Sequence, residues 1–190
     1  MPVKYLARYL TSSFLLSGHL GSLVPDRTVR VSVKVLALNC VGLAGMVLPS
    51  ILSLPLFNDA VGEAELQQHL DDVLRFHSHS DPQIGASVAI VIGQFVRASL
   101  VHGCGQYNDF SRPSLTLSSL LEILCKLLGH ESSVTSRGAI AGLSLCVDEL
   151  LHSLHASVVL SVLPHLVNVA SNPYWLVKVS YLLLLWVNGM

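Results

Sequence analysis

The sequence predicts an all-α protein, an α-solenoid of about four antiparallel helix pairs, on two observations. Hydrophobic residues make up 52% of the 190 positions and charged residues only 12%, so the chain must bury a large apolar surface. A turn or capping residue also precedes an apolar segment four times, and the aliphatic residues of these signals are 55, 50 and 43 residues apart. Such a period is typical of stacked structural units that bury their apolar faces against one another.

Each of the four signals is predicted to start the second helix of a pair. Asp and Asn side chains accept hydrogen bonds from the free N–H groups at a helix start, and proline at the first helical position loses no backbone hydrogen bond. The predicted turn positions are Asp26, Val29, Arg30, Asp81, Pro82, Ile84, Glu131, Val134, Asn172, Pro173, Val177 and Lys178.

The apolar segment before each signal supplies the first helix of the pair. The predicted pairs are residues 3–16 with 27–47, 63–77 with 82–101, 116–129 with 132–151, and 155–170 with 173–187. The chain 1–190 is then a single segment whose approximate repeats are 1–50, 60–101, 114–151 and 153–190. Each unit averages about 48 residues, at the top of the range for HEAT-type units.

The second helix of the first pair has a competing interpretation. Residues 29–35 alternate between valine and a polar side chain, which is typical of a half-buried strand. A helix is favoured because the apolar run continues to Val41, beyond the length of most strands. The predicted buried face of this helix consists of Val29, Val33, Leu36 and Cys40, which recur at helical spacing.

The second and third pairs show clearer helical faces. Gly138 and Gly142 lie one helical turn apart and form a small-residue patch, which lets a neighbouring helix approach closely. We therefore expect this patch to pack one repeat against another. The predicted apolar stripes are Ile84, Val88, Val91, Ile92 and Phe95 in the second pair, and Ile140, Leu143, Val147 and Leu150 in the third.

Two windows without formal charge, 24 residues at 35–58 and 28 residues at 150–177, are long enough for membrane spans, which need ~20 apolar residues. Pro49 and Pro55 interrupt the first window, and the second carries three histidines and two prolines. Polar groups are rare at membrane depth. The sequence therefore predicts no integral membrane insertion, and a multi-pass membrane protein is the alternative. Residues 1–25 lack acidic side chains, as a targeting sequence does, but they are favoured as part of the first helix pair.

Catalytic and metal-binding motifs are missing from the sequence. Glu149, His152 and His155 share a helical face, but a di-iron site needs a second such motif and the His-Glu-x-x-His zinc motif does not occur. Cys104 has no basic neighbour that would activate its thiol. We predict no enzyme activity, no cofactor and no metal; a metal-dependent or thiol enzyme is the alternative. A formal charge of −1 and a pI near 6.7 also argue against nucleic-acid binding.

The run Leu-Val-Pro-Asp-Arg-Thr-Val-Arg-Val-Ser-Val-Lys-Val-Leu-Ala-Leu-Asn-Cys-Val-Gly, residues 23–42, resembles the N-terminal HEAT-repeat region of the huntingtin family. Residues 13–18 also resemble this region. Further similar segments follow at 81–83, 131–135 and 172–178, in the same order as in the family. Generic repeat signals would not reproduce so long a run.

The resemblance implies that residues 1–190 are a fragment of a divergent huntingtin homologue. It implies a non-enzymatic scaffold in the cytoplasm, and also in the nucleus, with roles in autophagy and in vesicle and organelle transport along microtubules. The implied partners are a huntingtin-associated protein, transport adaptors and the remaining repeats of a longer chain. The family offers no catalytic residue to transfer to this sequence.

Overall fold

The computed structural model describes residues 30–47, 73–101, 117–153 and 155–187. Every regular element in these ranges is helical, and the predicted all-α fold is confirmed. The predicted helix 3–16, most of the predicted helix 63–77 and the turn positions Asp26 and Val29 lie outside the described residues. The α-helices are α1 (Val31–Val47), α2 (Pro82–Val101), α3 (Leu117–Leu128), α4 (Ser133–Leu151), α5 (Val159–Ala170) and α6 (Trp175–Val187), with 3-10 turns at Arg75–Ser78 and Ala156–Val158.

The helices form two layers of a solenoid. The second helices of the pairs, α1, α2, α4 and α6, pack side by side in chain order. The first helices α3 and α5 pack against each other and against their own partners α4 and α6. One core of buried aliphatic side chains runs through both layers, and its largest fully buried members are Leu38, Ile84, Ile92, Leu120, Leu121, Leu124, Leu128, Ile140, Leu150 and Val41.

Helix α1 settles the conflict between strand and helix, since Val31–Val47 is helical. It begins four residues later than predicted, and the predicted buried face is wrong. Leu36 is 62% exposed, and the buried positions are instead Lys34, Ala37, Leu38 and Val41. The reason is that apolar residues surround this helix almost evenly, so its contact with α2 selects the buried face and the sequence pattern does not.

The small-residue patch of α4 packs against α2, as predicted. A Cβ atom added at Gly138 would overlap the backbone of Ala86, and one added at Gly142 would overlap the carbonyl of Ala89. In the opposite direction, a Cβ at Gly93 would overlap the backbone of Gly142. The two helices therefore touch backbone to backbone along one side, which only residues without a side chain allow.

The turns before α2, α4 and α6 share one geometry that the sequence signals did not reveal. The backbone N–H of Asp81 donates to Nδ1 of His79 (3.0 Å), and that of Ser132 donates to Nδ1 of His130 (3.0 Å). The N–H of Tyr174 donates in the same way to Oδ1 of Asn172 (2.9 Å). In each case the next residue is the first of the helix, so these turns define the equivalent positions of the repeats.

This geometry corrects the predicted register of the third repeat by one residue. Ile84 and Val177 lie at the third position of their helices and are fully buried. The third residue of α4 is Thr135, which is 1% exposed, whereas the predicted Val134 is 44% exposed. The hydroxyl of Thr135 donates to the carbonyl of Pro82 (3.1 Å), so a polar side chain is satisfied at a position where the other repeats carry an aliphatic one.

A reciprocal pair of substitutions tests this register. Thr135→Val keeps the shape but removes the hydrogen bond to Pro82, and we expect it to lower the free energy of unfolding by about 1 kcal/mol. Val134→Thr makes the reverse exchange at the adjacent exposed position, where we expect a change within about 0.5 kcal/mol. Urea denaturation followed by circular dichroism measures both. A larger loss for Val134→Thr than for Thr135→Val would contradict the corrected register.

Candidate interaction surface

The described turn positions lie along one edge of the solenoid. Helices α2 and α4 run parallel, because Thr135 contacts Pro82 near their starts and Arg97 approaches Glu149 (3.7 Å) near their ends. The starts of α1 and α6 lie at the same edge, because Lys34 of α1 lies 5.8 Å from the ring centre of Phe76, just before α2, and Arg137 of α4 contacts Ser180 of α6 (3.4 Å). Arg30, Glu131, Pro173 and Lys178 are exposed there, whereas Ile84 and Val177 are buried.

Asp81 and Asn172 take different roles at this edge. Oδ1 of Asp81 accepts a hydrogen bond from the N–H of Gln83 (2.9 Å), and Pro82 is the first residue of α2, so the predicted capping geometry is present. Helix α6 instead begins at Trp175, two residues after Pro173. Oδ1 of Asn172 accepts the equivalent hydrogen bond from the N–H of Tyr174 (2.9 Å), so this bond occurs both at a helix start and in a turn that precedes one.

A polar cleft of about 450 Å³ lies between α3 and α5, the first helices of the last two repeats. Its lining includes one carboxylate, one imidazole, three serine hydroxyl groups and one buried thiol. Glu122 is held by an ion pair with Lys126 (2.9 Å), one helical turn away. The cleft can therefore donate and accept hydrogen bonds. Its lining residues are Ser118, Glu122, Cys125, Ser157, Val158, Ser161 and His165.

The thiol in this cleft is not set up as a nucleophile. Burial raises the pKa of Cys125, and the negative charge of Glu122 raises this pKa further. A catalytic cysteine needs the opposite environment, in which a nearby positive charge stabilises the thiolate. The cleft therefore holds no activated thiol.

The candidate metal ligands on α4 do not converge. Glu149 lies 3.7 Å from Arg97 of α2, while Nδ1 of His152 lies 2.8 Å from the carbonyl oxygen and 3.3 Å from Oδ1 of Asp148. Across the described ranges, no three His, Cys, Asp or Glu side chains come close enough together to hold a metal ion. Cys40, Cys125 and Cys146 are free thiols, and Cys104 lies outside the described residues.

Cys146 is expected to resist alkylation in the folded protein. Burial in α4 raises the pKa of its thiol to about 12, and the Sγ donates to the carbonyl of Leu143 (3.6 Å). The thiolate is the reactive form, and this raised pKa leaves much less of it at pH 8 than an exposed cysteine carries. Iodoacetamide labelling followed by mass spectrometry measures the rate at each cysteine. Half-buried Cys40 is the internal comparison, and equal native rates at Cys40 and Cys146 would refute this expectation.

Several residues at the repeat junctions escaped sequence reasoning. The hydroxyl of Ser136 is fully buried and donates to the carbonyl of Leu128 (2.8 Å), near the end of α3. Thr135 beside it reaches the preceding repeat. Two consecutive side chains of α4 thus form hydrogen bonds to α3, the first helix of the same pair, and to α2, the second helix of the preceding pair. The available signal was the group of four hydroxyl residues Ser132, Ser133, Thr135 and Ser136, a composition typical of a helix start.

Among the helices that the structure describes, none combines the length and the hydropathy that crossing a bilayer requires. Helices α2 and α4 each pack between two other second helices, which buries apolar side chains on more than one of their sides.

Comparison with known proteins shows which family the chain belongs to. Residues 76–187 match the family model described as "Huntingtin, N-terminal HEAT". The chain belongs to the huntingtin family. It is 35% identical to "Huntingtin" of Takifugu rubripes over 190 aligned residues, which cover 95% of this chain and 6% of that relative. It is 30% identical over 119 residues to "HD protein homolog" of Dictyostelium discoideum, covering 59% of this chain and 4% of that protein.

The chain therefore spans a small fraction of the length of both relatives, and its described part is one helical section of a huntingtin-type solenoid. Residues 76–187 include α2 to α6, so the huntingtin match covers the glycine-lined crossing of α2 and α4, the polar cleft and three of the four helix starts.

Proposed function

We propose that this chain is part of a non-enzymatic, huntingtin-like scaffold that holds partner proteins during vesicle and organelle transport along microtubules and during autophagy. The observation that carries the proposal is its membership of the huntingtin family together with its helical-repeat fold. Stacked repeats give an extended surface whose shape depends only on neighbouring units. Such a surface suits the simultaneous binding of several proteins.

The proposed partners are a huntingtin-associated protein, adaptors of the transport machinery and the remaining repeats of the longer chain. The proposed location is the cytoplasm and also the nucleus. The polar cleft between α3 and α5 supports protein binding, because hydrogen-bonding side chains line it while its thiol stays protonated. A balanced charge and the absence of a basic surface pattern in the sequence favour proteins over nucleic acid as partners.

The test compares cells that lack the full-length protein with cells in which it is restored. We expect shorter vesicle runs along microtubules and slower autophagic flux after its loss, and recovery with the wild-type chain. Restoration with Gly142→Val, which disrupts the crossing of α2 and α4, should fail, whereas exposed Ala141→Val should succeed. Normal vesicle runs and normal flux in cells without the protein would overturn the proposed function.

A further inference from the structure

The interface between α1 and α2 contains a buried amide oxygen that has no hydrogen-bond partner in the part of the chain that the structure describes. Gln94 of α2 is 7% exposed, and among the described residues no donor lies within hydrogen-bond distance of its Oε1. Burying an acceptor in this way is unfavourable, because its hydrogen bond to water is lost and not replaced. The α1–α2 interface therefore carries a free-energy penalty that disappears when water reaches Gln94.

The Gln94 side chain occupies the space that a side chain at Gly42 would fill. A Cβ atom added at Gly42 would coincide with Oε1 and Cδ of Gln94. The contact with α1 therefore depends on the missing side chain at position 42, and the amide faces a methylene group that offers no conventional hydrogen bond.

The crossing of α2 and α4 is built differently. Glycines allow direct backbone contact at its centre. At one end the buried hydroxyl of Thr135 donates to the carbonyl of Pro82, and at the other end Arg97 pairs with Glu149. The polar groups of this crossing have partners, so separating α2 from α4 would break satisfied contacts and expose apolar core.

We propose that the α1–α2 interface is a conformational joint of this solenoid: α1 undocks from α2 while α2 to α6 remain packed. Undocking hydrates the Gln94 amide, whereas the polar contacts at the two ends of the α2–α4 crossing are already satisfied. The joint lets α1 change its angle to α2 and to the helices that follow. A scaffold with such a joint can fit partners of different shape without unfolding its core.

Hydrogen–deuterium exchange on the full chain tests the joint. Gln94→Met keeps the length of the side chain and removes the amide, so α1 should open less often, and exchange within residues 31–47 should slow about tenfold. Exchange within α4 should stay unchanged. Gln83→Met is the matched control, because Gln83 is an exposed glutamine of the same helix. Unchanged exchange in α1, or equal slowing in α1 and α4, would overturn the proposal.

A double-mutant cycle gives a second readout. Gly42→Ala places a methyl group where the Gln94 amide lies, so exchange in α1 should accelerate about tenfold or more while α4 to α6 keep their protection. Gln94→Ala makes room for that methyl group, and Gly42→Ala should then have little effect. If Gly42→Ala were equally disruptive with glutamine or alanine at position 94, the amide would not control the joint.

Discussion

Replacement of Gly142 by valine is expected to lower the free energy of unfolding by about 3–5 kcal/mol, enough to unfold a marginally stable domain. A Cβ atom at this position would overlap the Ala89 carbonyl and come within 3.3 Å of the Leu124 side chain. Because the first obstacle is backbone, no rotamer change relieves the overlap. Helices α2 and α4 would have to separate, which would expose the core that they share.

The matched control for this substitution is the adjacent residue. Ala141 lies on the exposed side of α4, and Ala141→Val should change the free energy of unfolding by less than about 1 kcal/mol, the difference in helix propensity between the two residues. Urea denaturation monitored by circular dichroism compares the two variants. Similar midpoints for both would show that α2 and α4 do not approach as closely as the structure indicates.

Leu124→Ala is expected to destabilise the protein by about 2–5 kcal/mol. Leu124 is fully buried on α3 and reaches the α2–α4 crossing beside Gly142, so its side chain joins the two layers. Truncation removes apolar contacts and leaves a cavity that the backbone contact of α2 and α4 prevents from closing. The same denaturation assay measures the loss.

Leu160→Ala provides the comparison for Leu124. Leu160 lies on α5 and is 66% exposed, so its truncation should change the free energy of unfolding by about 0.5 kcal/mol or less. Both variants lose the same atoms, so the difference between their free energies of unfolding reports the effect of burial alone. An equal loss at positions 124 and 160 would mean that the outer side of α5 is covered in the folded protein.

Helix positions were largely predictable because their signals are local. Pro82–Val101 has the predicted bounds, and α4 begins one residue later than predicted. Capping side chains and proline act on the N–H groups of the adjacent turn, so a single sequence contains the information. The Gly138 and Gly142 patch was also predictable, since residues without large side chains permit close helix contact in any repeat that presents them.

The polar cleft could not be predicted in the same way. Glu122 and His165 are 43 residues apart and lie on helices that meet only when two repeats stack. Each residue alone is unremarkable on an exposed helical surface. No spacing rule relates them, because the distance along the chain depends on the lengths of the loops and helices between them.

The sequence by itself determined the all-α class, the paired helices and the family. These follow from hydrophobic content, from capping chemistry and from the long run at residues 23–42. Only the tertiary structure decided that Thr135 and not Val134 is buried, that Leu36 faces outwards, and that Gln94 lies against Gly42. The physical reason is that burial depends on the neighbouring helix, and α1 and α4 present apolar residues on more than one side.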